Sequence, residues 1–176
     1  TTIKTNSDFI VFNIKELMNA DTNVKNALFF NILKYAWGLT LDKRVNTILM
    51  VDEAHILLSD QNTLGADFLA QIQRRARKYN TGTIIITQQP SDFCDRAVIT
   101  QGKAIFDNAS YYLVMGLKKQ AVDDLSKLID LNDNEKEAIK YYNQGEALFI
   151  CGNKRMKIQV VITQEELDSF GSGGGY

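Results

Sequence analysis

Histidine and cysteine are scarce in this chain, which has one histidine (His55) and two cysteines (Cys94 and Cys151) among its 176 residues. The cysteines lie far apart and follow no regular spacing, so a disulfide framework is not expected and a reducing compartment is favoured. Structural zinc sites use several His and Cys ligands, and a single histidine gives such a site little support.

The sequence also has no excess of either charge and no long apolar run. Twenty Lys and Arg residues against 21 Asp and Glu residues leave a formal net charge of −1, so bulk charge gives no support for nucleic-acid binding. No stretch approaches the ~20 apolar residues that a membrane helix needs, and no signal-peptide pattern occurs. The composition, 45% hydrophobic and 23% charged, is that of an ordinary globular domain.

A phosphate-binding loop is missing as well. Such a loop has the pattern G-x-x-x-x-G-K-[ST], whose backbone N–H groups and lysine hold the phosphates of a nucleotide. None of the 11 glycines falls in this pattern. If the chain serves a nucleotide, we expect the loop to lie upstream of Thr1, and we expect the chain alone to show no measurable ATP affinity.

Buried strands alternate with helices along most of the chain, which predicts an α/β domain on a mainly parallel sheet with helices on both faces. Two strands near the C-terminus, joined at Gly152-Asn153, predict an antiparallel C-terminal hairpin.

The domain is predicted to span residues 1–170, with a helical segment at about 117–143. Residues 171–176 ("GSGGGY") are excluded from the fold as a flexible tail or a cloning scar. The predicted elements comprise strands at Asp8–Ile14, Asn46–Asp52, Thr83–Thr87, Tyr111–Met115, Ala147–Cys151 and Lys157–Ile162, and helices at 21–38, 64–79, two within 117–143 and one from Thr163.

Two adjacent acids, Asp52 and Glu53, end the buried strand "NTILMVD". In open α/β sheets ligands collect beyond the carboxyl ends of the strands. A hydrophobic strand that ends in Asp-Glu is the Walker B arrangement, in which Asp52 would hold Mg²⁺, through water or directly, and Glu53 would orient the attacking water. Alternatively, Asp52 caps a helix containing "AHILL" and Glu53 is a solvated acid in its first turn.

The next predicted strand ends in Thr87, Gln88 and Gln89, again where a sheet would open onto a ligand. The amide of Gln88 can donate to a phosphate oxygen and accept from water, as a sensor of hydrolysis requires. The alternative is that Gln88 and Gln89 only begin a turn around Pro90.

A cluster of four cations, "RRARK" (residues 74–78), falls in the last turns of a predicted helix. The helix dipole favours cations there, which is a sufficient structural explanation. The functional hypothesis is an arginine finger that acts in trans on a neighbouring subunit's nucleotide. Arg77 points away from the apolar face and is the first candidate, with Arg74 second. His55, in "DEAH", is expected to be a packing or capping residue, and we assign it no role in proton transfer.

Taken in order, the segments "VFNIKEL", "ILMVDEAHILL", "RRARKYN", "IIITQQPSDF", "AIFDNAS" and "GEALFI" resemble the VirB-type ATPases of conjugation and type IV secretion, within the HerA/FtsK group of RecA-like motors. The resemblance runs from Phe9 to about Phe170. It implies a partial RecA-like P-loop NTPase fold without its Walker A segment. It matches Asp52 and Glu53 to Walker B, Gln88 to the sensor and Arg77-Lys78 to a basic nucleotide-binding motif. Asn108 falls where the family usually has an asparagine, and we assign it no role.

The same resemblance implies a motor that binds ATP and Mg²⁺ in the parent protein, with neither expected on this chain alone. Its implied partners are further copies in a hexamer, other secretion-channel components at the inner membrane, and DNA or a relaxase as candidate substrate. The implied location is the cytoplasmic face of the cell membrane, peripherally attached.

Two other hypotheses remain open from the sequence. "DEAH" suggests a DExH helicase, although the Ser-Ala-Thr stretch and the late arginine-rich motif of those enzymes are absent. A degenerate, non-catalytic interaction module would also explain the missing phosphate loop. Under either the motor or the module hypothesis, the missing segment would leave one side of the sheet uncovered, so we expect an exposed apolar surface that drives self-association.

Overall fold

The computed structural model describes residues 7–14, 17, 19–58 and 63–171. Lys15 and Glu16 of the first family segment and residues 172–176 of the predicted tail lie outside these residues. The chain divides into two compact units, Thr1–Thr87 and Gln88–Tyr176. Within the described residues, no helix is both long and apolar enough to cross a membrane.

The first unit is built from two α-helices and two parallel strands. Its elements are α1 (Thr22–Leu39), β1 (Thr47–Val51), a 3₁₀ turn (Ala54–Leu57), α2 (Thr63–Arg75), a second 3₁₀ turn (Ala76–Tyr79) and β2 (Thr81–Ile85). The strands pair in parallel from Thr47↔Thr81 to Val51↔Ile85. The predicted strand at β1 and the helix at α2 are therefore present. The α/β class, with a parallel sheet, helices and an antiparallel hairpin, is confirmed.

Strand β2 begins earlier than predicted because Gly82 does not interrupt it. Asn80, with φ +53°, takes the left-handed conformation that ends the preceding 3₁₀ turn. Its side chain donates to the backbone carbonyl of Lys43 at 2.9 Å. The strand therefore starts directly at Thr81, and Gly82 pairs with Ile48.

One other prediction for this unit is wrong. Asp8–Ile14 forms no strand in the described structure, although Ile10, Phe12 and Ile14 are less exposed than the residues between them.

Helix α1 begins after the predicted cap, Asp21, whose carboxylate accepts from the Asn23 backbone N–H at 2.9 Å. The apolar stripe predicted for this helix is buried only in its second half. Ala36 is buried and Ile32 and Tyr35 are half-buried, whereas Val24 and Leu28 are exposed. Phe29, which was not predicted, is buried as well.

One face of the β1–β2 pair is uncovered, as the sequence predicted. Ile48 is 70% exposed, Met50 58%, and Ile84 and Ile86 41% each. The register places Ile48 and Met50 opposite Gly82 and Ile84 on this face. The predicted exposed apolar surface is confirmed, and self-association through it stays a prediction that light scattering can test.

The second unit contains four short helices and an antiparallel sheet. Its elements are a 3₁₀ turn (Pro90–Cys94), α3 (Ile99–Asp107), β3 (Tyr111–Met115), α4 (Lys119–Leu125), α5 (Asp133–Ile139), β4 (Glu146–Cys151), β5 (Lys154–Gln159) and α6 (Gln164–Phe170). The strand order is β3-β4-β5, and β4 and β5 form the predicted hairpin around Gly152, whose φ is +55°. No ladder among the described residues joins this sheet to β1 and β2.

The core of the second unit lies between the sheet and helices α4 and α5. Its buried side chains are aliphatic: Val114, Val122, Leu125, Ile129, Leu131, Ile139, Leu148 and Ile150. The partly buried side chains of Phe106, Tyr112, Leu117 and Tyr142 pack against them. Both predicted capping boxes are present, Asn132 with Glu135 on α5 and Thr163 with Glu166 on α6. Helix α3 was not predicted, and Gly102 lets it approach the backbone of Phe93 closely, since a Cβ there would lie 2.1 Å from the Phe93 carbonyl oxygen.

Candidate functional site

The carboxyl ends of β1 and β2 are held together by two backbone hydrogen bonds beyond the strands. The N–H of Ile86 donates to the Val51 carbonyl at 2.9 Å, and the N–H of Ala54 donates to the Ile86 carbonyl at 2.9 Å. Asp52 and Glu53 lie between these two anchors. The acidic turn that the sequence placed at the end of a buried strand is therefore fixed to the neighbouring strand on both sides.

The two acids have different environments within this turn. Asp52 is exposed, and its Oδ1 accepts from the backbone N–H of Glu53 at 2.9 Å. Glu53 is partly buried and adopts φ +49° and ψ +49°. For a residue other than glycine this left-handed conformation costs of order 1–3 kcal/mol and is retained only where the surroundings enforce it. In this turn the carboxylate of Asp52 faces solvent and that of Glu53 lies partly buried against the protein.

The structure forms a short 3₁₀ turn after the acids, where a helix capped by Asp52 was the alternative prediction. Ala54 is fully buried, and Leu57 and Leu58 are 5% and 7% exposed. The start of α2 packs directly on this turn, since a Cβ at Gly65 would lie 2.3 Å from the Leu57 carbonyl oxygen. The acidic turn thus rests on the core of the unit and is no solvated loop.

The side chains of Glu53 and His55 meet on either side of Ala54. Glu53 Oε2 lies 3.2 Å from His55 Nδ1, and both atoms are buried, although the side chains are 35% and 27% exposed as a whole. This contact was not predicted from the sequence. The two-residue spacing around a residue as small as Ala54 was the only available signal.

Gln88 lies three residues after the carboxyl end of β2 in the sequence. Ile86, whose backbone bonds both Val51 and Ala54, precedes it by two residues. Gln88 is exposed and begins the bend before the 3₁₀ turn at Pro90. It is the first residue of the second unit, so its approach to the two carboxylates stays a prediction.

The basic cluster lies at the other end of the first unit's sheet. Arg74, Arg77 and Lys78 are all exposed and immediately precede Asn80, whose carbonyl accepts from the N–H of Thr47 at the start of β1. About 20 Å of extended chain separates Asn80 from Ile86, whose backbone bonds the residues on either side of the acidic turn. No arginine or lysine side chain spans that distance, so the cluster and the acids of one chain do not meet.

Asn108 lies in the second unit, at the C-terminus of α3. Its side-chain amide donates to the Ala104 carbonyl at 2.7 Å. In this position it satisfies one of the carbonyl groups that the helix end leaves without a backbone partner.

The acidic turn suits a magnesium ion that is shared with phosphate oxygens. Mg²⁺ prefers hard oxygen ligands and usually keeps several waters, with one or two carboxylates and substrate phosphates completing its shell. Among the described residues, no three His, Cys, Asp or Glu side chains group to hold a metal by themselves. Asp52, an exposed carboxylate on a fixed backbone, fits as one ligand or as an acceptor from the metal's water shell.

Comparison with solved structures supports both the fold and the resemblance. VirB4 of Thermoanaerobacter pseudethanolicus is similar with a TM-score of 0.84 and 35% identity, over 94% of this chain and 44% of that chain. The genome packaging NTPase B204 of Sulfolobus turreted icosahedral virus 2, solved with ATP-gammaS, matches with a TM-score of 0.57 over 88% of this chain and 74% of that one. Its 18% identity supports the fold alone.

Comparison with curated proteins gives more distant relatives. The DNA double-strand break repair helicase HerA of Sulfurisphaera tokodaii is 29% identical over 120 residues, which are 68% of this chain and 23% of that protein. An uncharacterized protein of Bacillus anthracis is 20% identical over 98% of this chain and 31% of its own length. The chain therefore spans less than a third of the length of these relatives.

The resemblance to VirB-type ATPases and to the HerA/FtsK group is thus confirmed by structure and by sequence. A family model described as the TraG P-loop domain matches residues 4–167, which is nearly the whole chain. The chain belongs to the TraG P-loop domain family.

Proposed function

We propose that this chain supplies the residues that hold magnesium and activate water at the ATPase site of a P-loop NTPase of the VirB4/TraG type. The observation that carries the proposal is the acidic turn, Asp52-Glu53, anchored by backbone hydrogen bonds to the carboxyl end of β2. In open α/β sheets this edge is where ligands bind. ATP and Mg²⁺ are the proposed ligands.

The two acids divide the chemistry according to their environments. Asp52, exposed on a fixed turn, would hold the magnesium ion, either through the water shell of the ion or directly. Glu53, partly buried and oriented by its backbone, accepts the proton of the water that attacks the γ-phosphorus. The metal, when bound, neutralises charge on the phosphate oxygens. Gln88 is proposed to sense the terminal phosphate through its amide.

The sequence has no G-x-x-x-x-G-K-[ST] pattern, so these 176 residues do not supply a phosphate-binding loop of that type. We therefore propose that the 176 residues alone do not bind ATP tightly, and that turnover belongs to the full-length protein. Tight binding of Mg-ATP to the isolated chain in calorimetry would contradict this part of the proposal.

The basic cluster is proposed to act between subunits. Arg77, with Arg74 as the alternative, and Lys78 lie at the end of the sheet away from the acids of their own chain. If they contact a nucleotide held at an acidic turn, that turn belongs to another copy. This is the expected arrangement of an arginine finger supplied in trans, and it requires a homo-oligomer, which we propose to be a hexamer.

In the cell, the proposed role is to energise conjugative transfer or type IV secretion from the cytoplasmic face of the membrane. The support is the resemblance to VirB-type ATPases and the 35% identity to VirB4. Proposed partners are other components of the secretion channel, with DNA or a relaxase as the passenger. Because the HerA relatives are named as DNA repair helicases, we favour DNA over a relaxase as the passenger.

The test is ATP turnover by the full-length protein at varied Mg²⁺ concentration. Asp52→Asn should raise the Mg²⁺ concentration needed for half-maximal turnover and lower the maximal rate, because the substitution removes the charge that holds the metal and its waters. Asp123→Asn, on the exposed side of α4, is the matched control and should leave both unchanged. A full-length protein without turnover would favour the non-catalytic module instead.

A further inference from the structure

The one histidine of the chain faces the proposed catalytic carboxylate. His55 Nδ1 lies 3.2 Å from Glu53 Oε2, and both atoms are buried. The contact does not have the geometry of a hydrogen bond in this structure, and a rotation about the Cβ–Cγ bond of His55 would direct an N–H at Nδ1 toward the carboxylate. Glu53 immediately precedes the 3₁₀ turn and His55 is its second residue, with the fully buried Ala54 between them. This spacing brings the two side chains together.

We propose that His55 is a positioning residue for Glu53: its Nδ1–H donates to Oε2 and leaves Oε1 to accept the proton of the attacking water. The inference rests on the proposed function, since it assigns a task to His55 only if Glu53 serves as the base. His55 itself transfers no proton in this scheme. It fixes the direction of the carboxylate.

A glutamate base gains from such a partner because its side chain has three rotatable bonds. The backbone of Glu53 is already fixed by its left-handed conformation and by the bond from Ala54 N–H to Ile86. This fixes the direction of the Cα–Cβ bond but not that of the carboxylate. A donor at Oε2 restricts the orientation of the carboxylate further, and catalytic groups held in the productive geometry avoid an entropic loss at each turnover.

The proposal also fixes the tautomer of the imidazole. An ionised carboxylate only accepts hydrogen bonds, so the nitrogen that faces it must carry the proton. In the neutral ring Nδ1 is then protonated and Nε2 is not. Histidine in water prefers the opposite tautomer, so the partner leaves a spectroscopic signature that simple packing of the ring would not.

The first test uses nitrogen-15 NMR of the histidine ring on the untagged protein. Because the chain has one histidine, its ring signals can be recognised by comparing the protein with a His55→Gln sample. At a pH where the ring is neutral, we expect the Nδ1–H tautomer in the unaltered protein and a shift toward Nε2–H in Glu53→Ala. The same tautomer in both proteins would overturn the inference.

The second test is kinetic and uses the full-length protein. The amide nitrogen of asparagine approximates the place of Nδ1, whereas that of glutamine approximates Nε2, so His55→Asn should retain most of kcat and His55→Gln should not. We expect His55→Leu to lower kcat by about 10- to 100-fold, part of what a general base contributes, with little change in KM for ATP. Equal kcat values in the Asn and Gln variants would overturn the inference.

The two tests separate this inference from the proposed function. The Nδ1–H tautomer in this chain together with no ATP turnover by the full-length protein would refute the proposed function, and His55 would then have no base to position. Turnover that depends on Glu53 but is unaffected by His55→Leu would refute the positioning role alone.

Discussion

At the scale of single residues, two backbone positions determine the acidic turn. Glu53 takes a left-handed conformation that is unusual for a side-chain-bearing residue. Gly65, at the start of α2, allows that helix to contact the carbonyl of Leu57 in the same turn. The turn that carries the proposed catalytic carboxylate therefore includes a close backbone contact made by a residue that has no side chain.

Gly65→Ala tests this dependence. The new Cβ would lie 2.3 Å from the Leu57 carbonyl oxygen, so helix and turn must separate. We expect the free energy of unfolding to fall by about 1–3 kcal/mol, as for other overpacked sites. Gly38→Ala is the matched control: it also lies in a helix, nothing lies within 4 Å of its Cβ position, and it should stabilise by about 0.5–1 kcal/mol. Urea unfolding of both variants is the measurement, and equal stability changes would contradict the packing argument.

At the scale of elements, local signals predicted more than pairings between distant segments. The helix caps at Asp21, Asn132 and Thr163 were found where sequence chemistry placed them, because a cap is formed by residues within three positions of each other. The strand predicted at Asp8–Ile14 does not form among the described residues. Its prediction depended on a nearly continuous apolar run, and such a run carries no information about which strand would pair with it.

Two other features, the buried residues of α1 and the existence of α3, could not be predicted in full from local sequence signals. Helix α1 has apolar residues on several sides, so periodicity placed Ala36 on the buried face but did not distinguish the buried Phe29 from the exposed Val24 and Leu28. Helix α3 contains Gly102, an unfavourable helix residue that is required by the close approach to Phe93. In the site, the acidic turn was predictable from its position after a strand. The His55 contact depends on the 3₁₀ geometry of that turn and was not.

An ion pair with a defined pH dependence joins Asp124 of helix α4 to Lys127 in the turn that follows it. Hydrogen bonds from Lys127 (2.6 Å) and then from Gln120 lower the pKa of Asp124, whose residue is 7% exposed. A carboxyl with a lowered folded pKa stabilises the fold above its unfolded pKa and loses that contribution as pH falls through the folded pKa. The hydrogen bond to Asp124 raises the pKa of Lys127, so its contribution is lost only at strongly alkaline pH.

We therefore expect Lys127→Met to destabilise the chain at pH 7 and the difference from the unaltered protein to shrink below about pH 4, near the pKa of an unperturbed aspartate. Urea midpoints followed by circular dichroism between pH 3 and pH 7 measure this. Lys154→Met, on the exposed strand β5, is the control and should show no such dependence. A Lys127→Met difference that stays constant over this range would rule out the ion pair as its cause.

At the scale of the whole molecule, the separation of acids and cations in the first unit has a consequence for assembly. The acidic turn follows the carboxyl end of the parallel strands, and Arg77 precedes their amino end. One chain cannot bring the two together, so a site that uses both must form between copies.

Mixing two inactive full-length variants tests this arrangement. Glu53→Gln and Arg77→Ala should each abolish ATP turnover when assembled alone. In a ring assembled from equal amounts of both, about one quarter of the interfaces would combine an intact Glu53 with an intact Arg77, and turnover should return to about that fraction. Arg74→Ala in place of Arg77→Ala distinguishes the two candidates. Mixed rings as inactive as the parents in both cases would exclude a finger in trans.

The most direct measurement of the central claim, that the turn after β1 carries the hydrolytic base, is ATP turnover and ATP binding by full-length Glu53→Gln. Gln keeps the size of the side chain but accepts no proton, so kcat should fall by about 10²- to 10⁴-fold while the affinity for ATP is retained. Glu165→Gln, on exposed helix α6, is the matched control and should leave kcat unchanged. Normal turnover by Glu53→Gln would contradict the account.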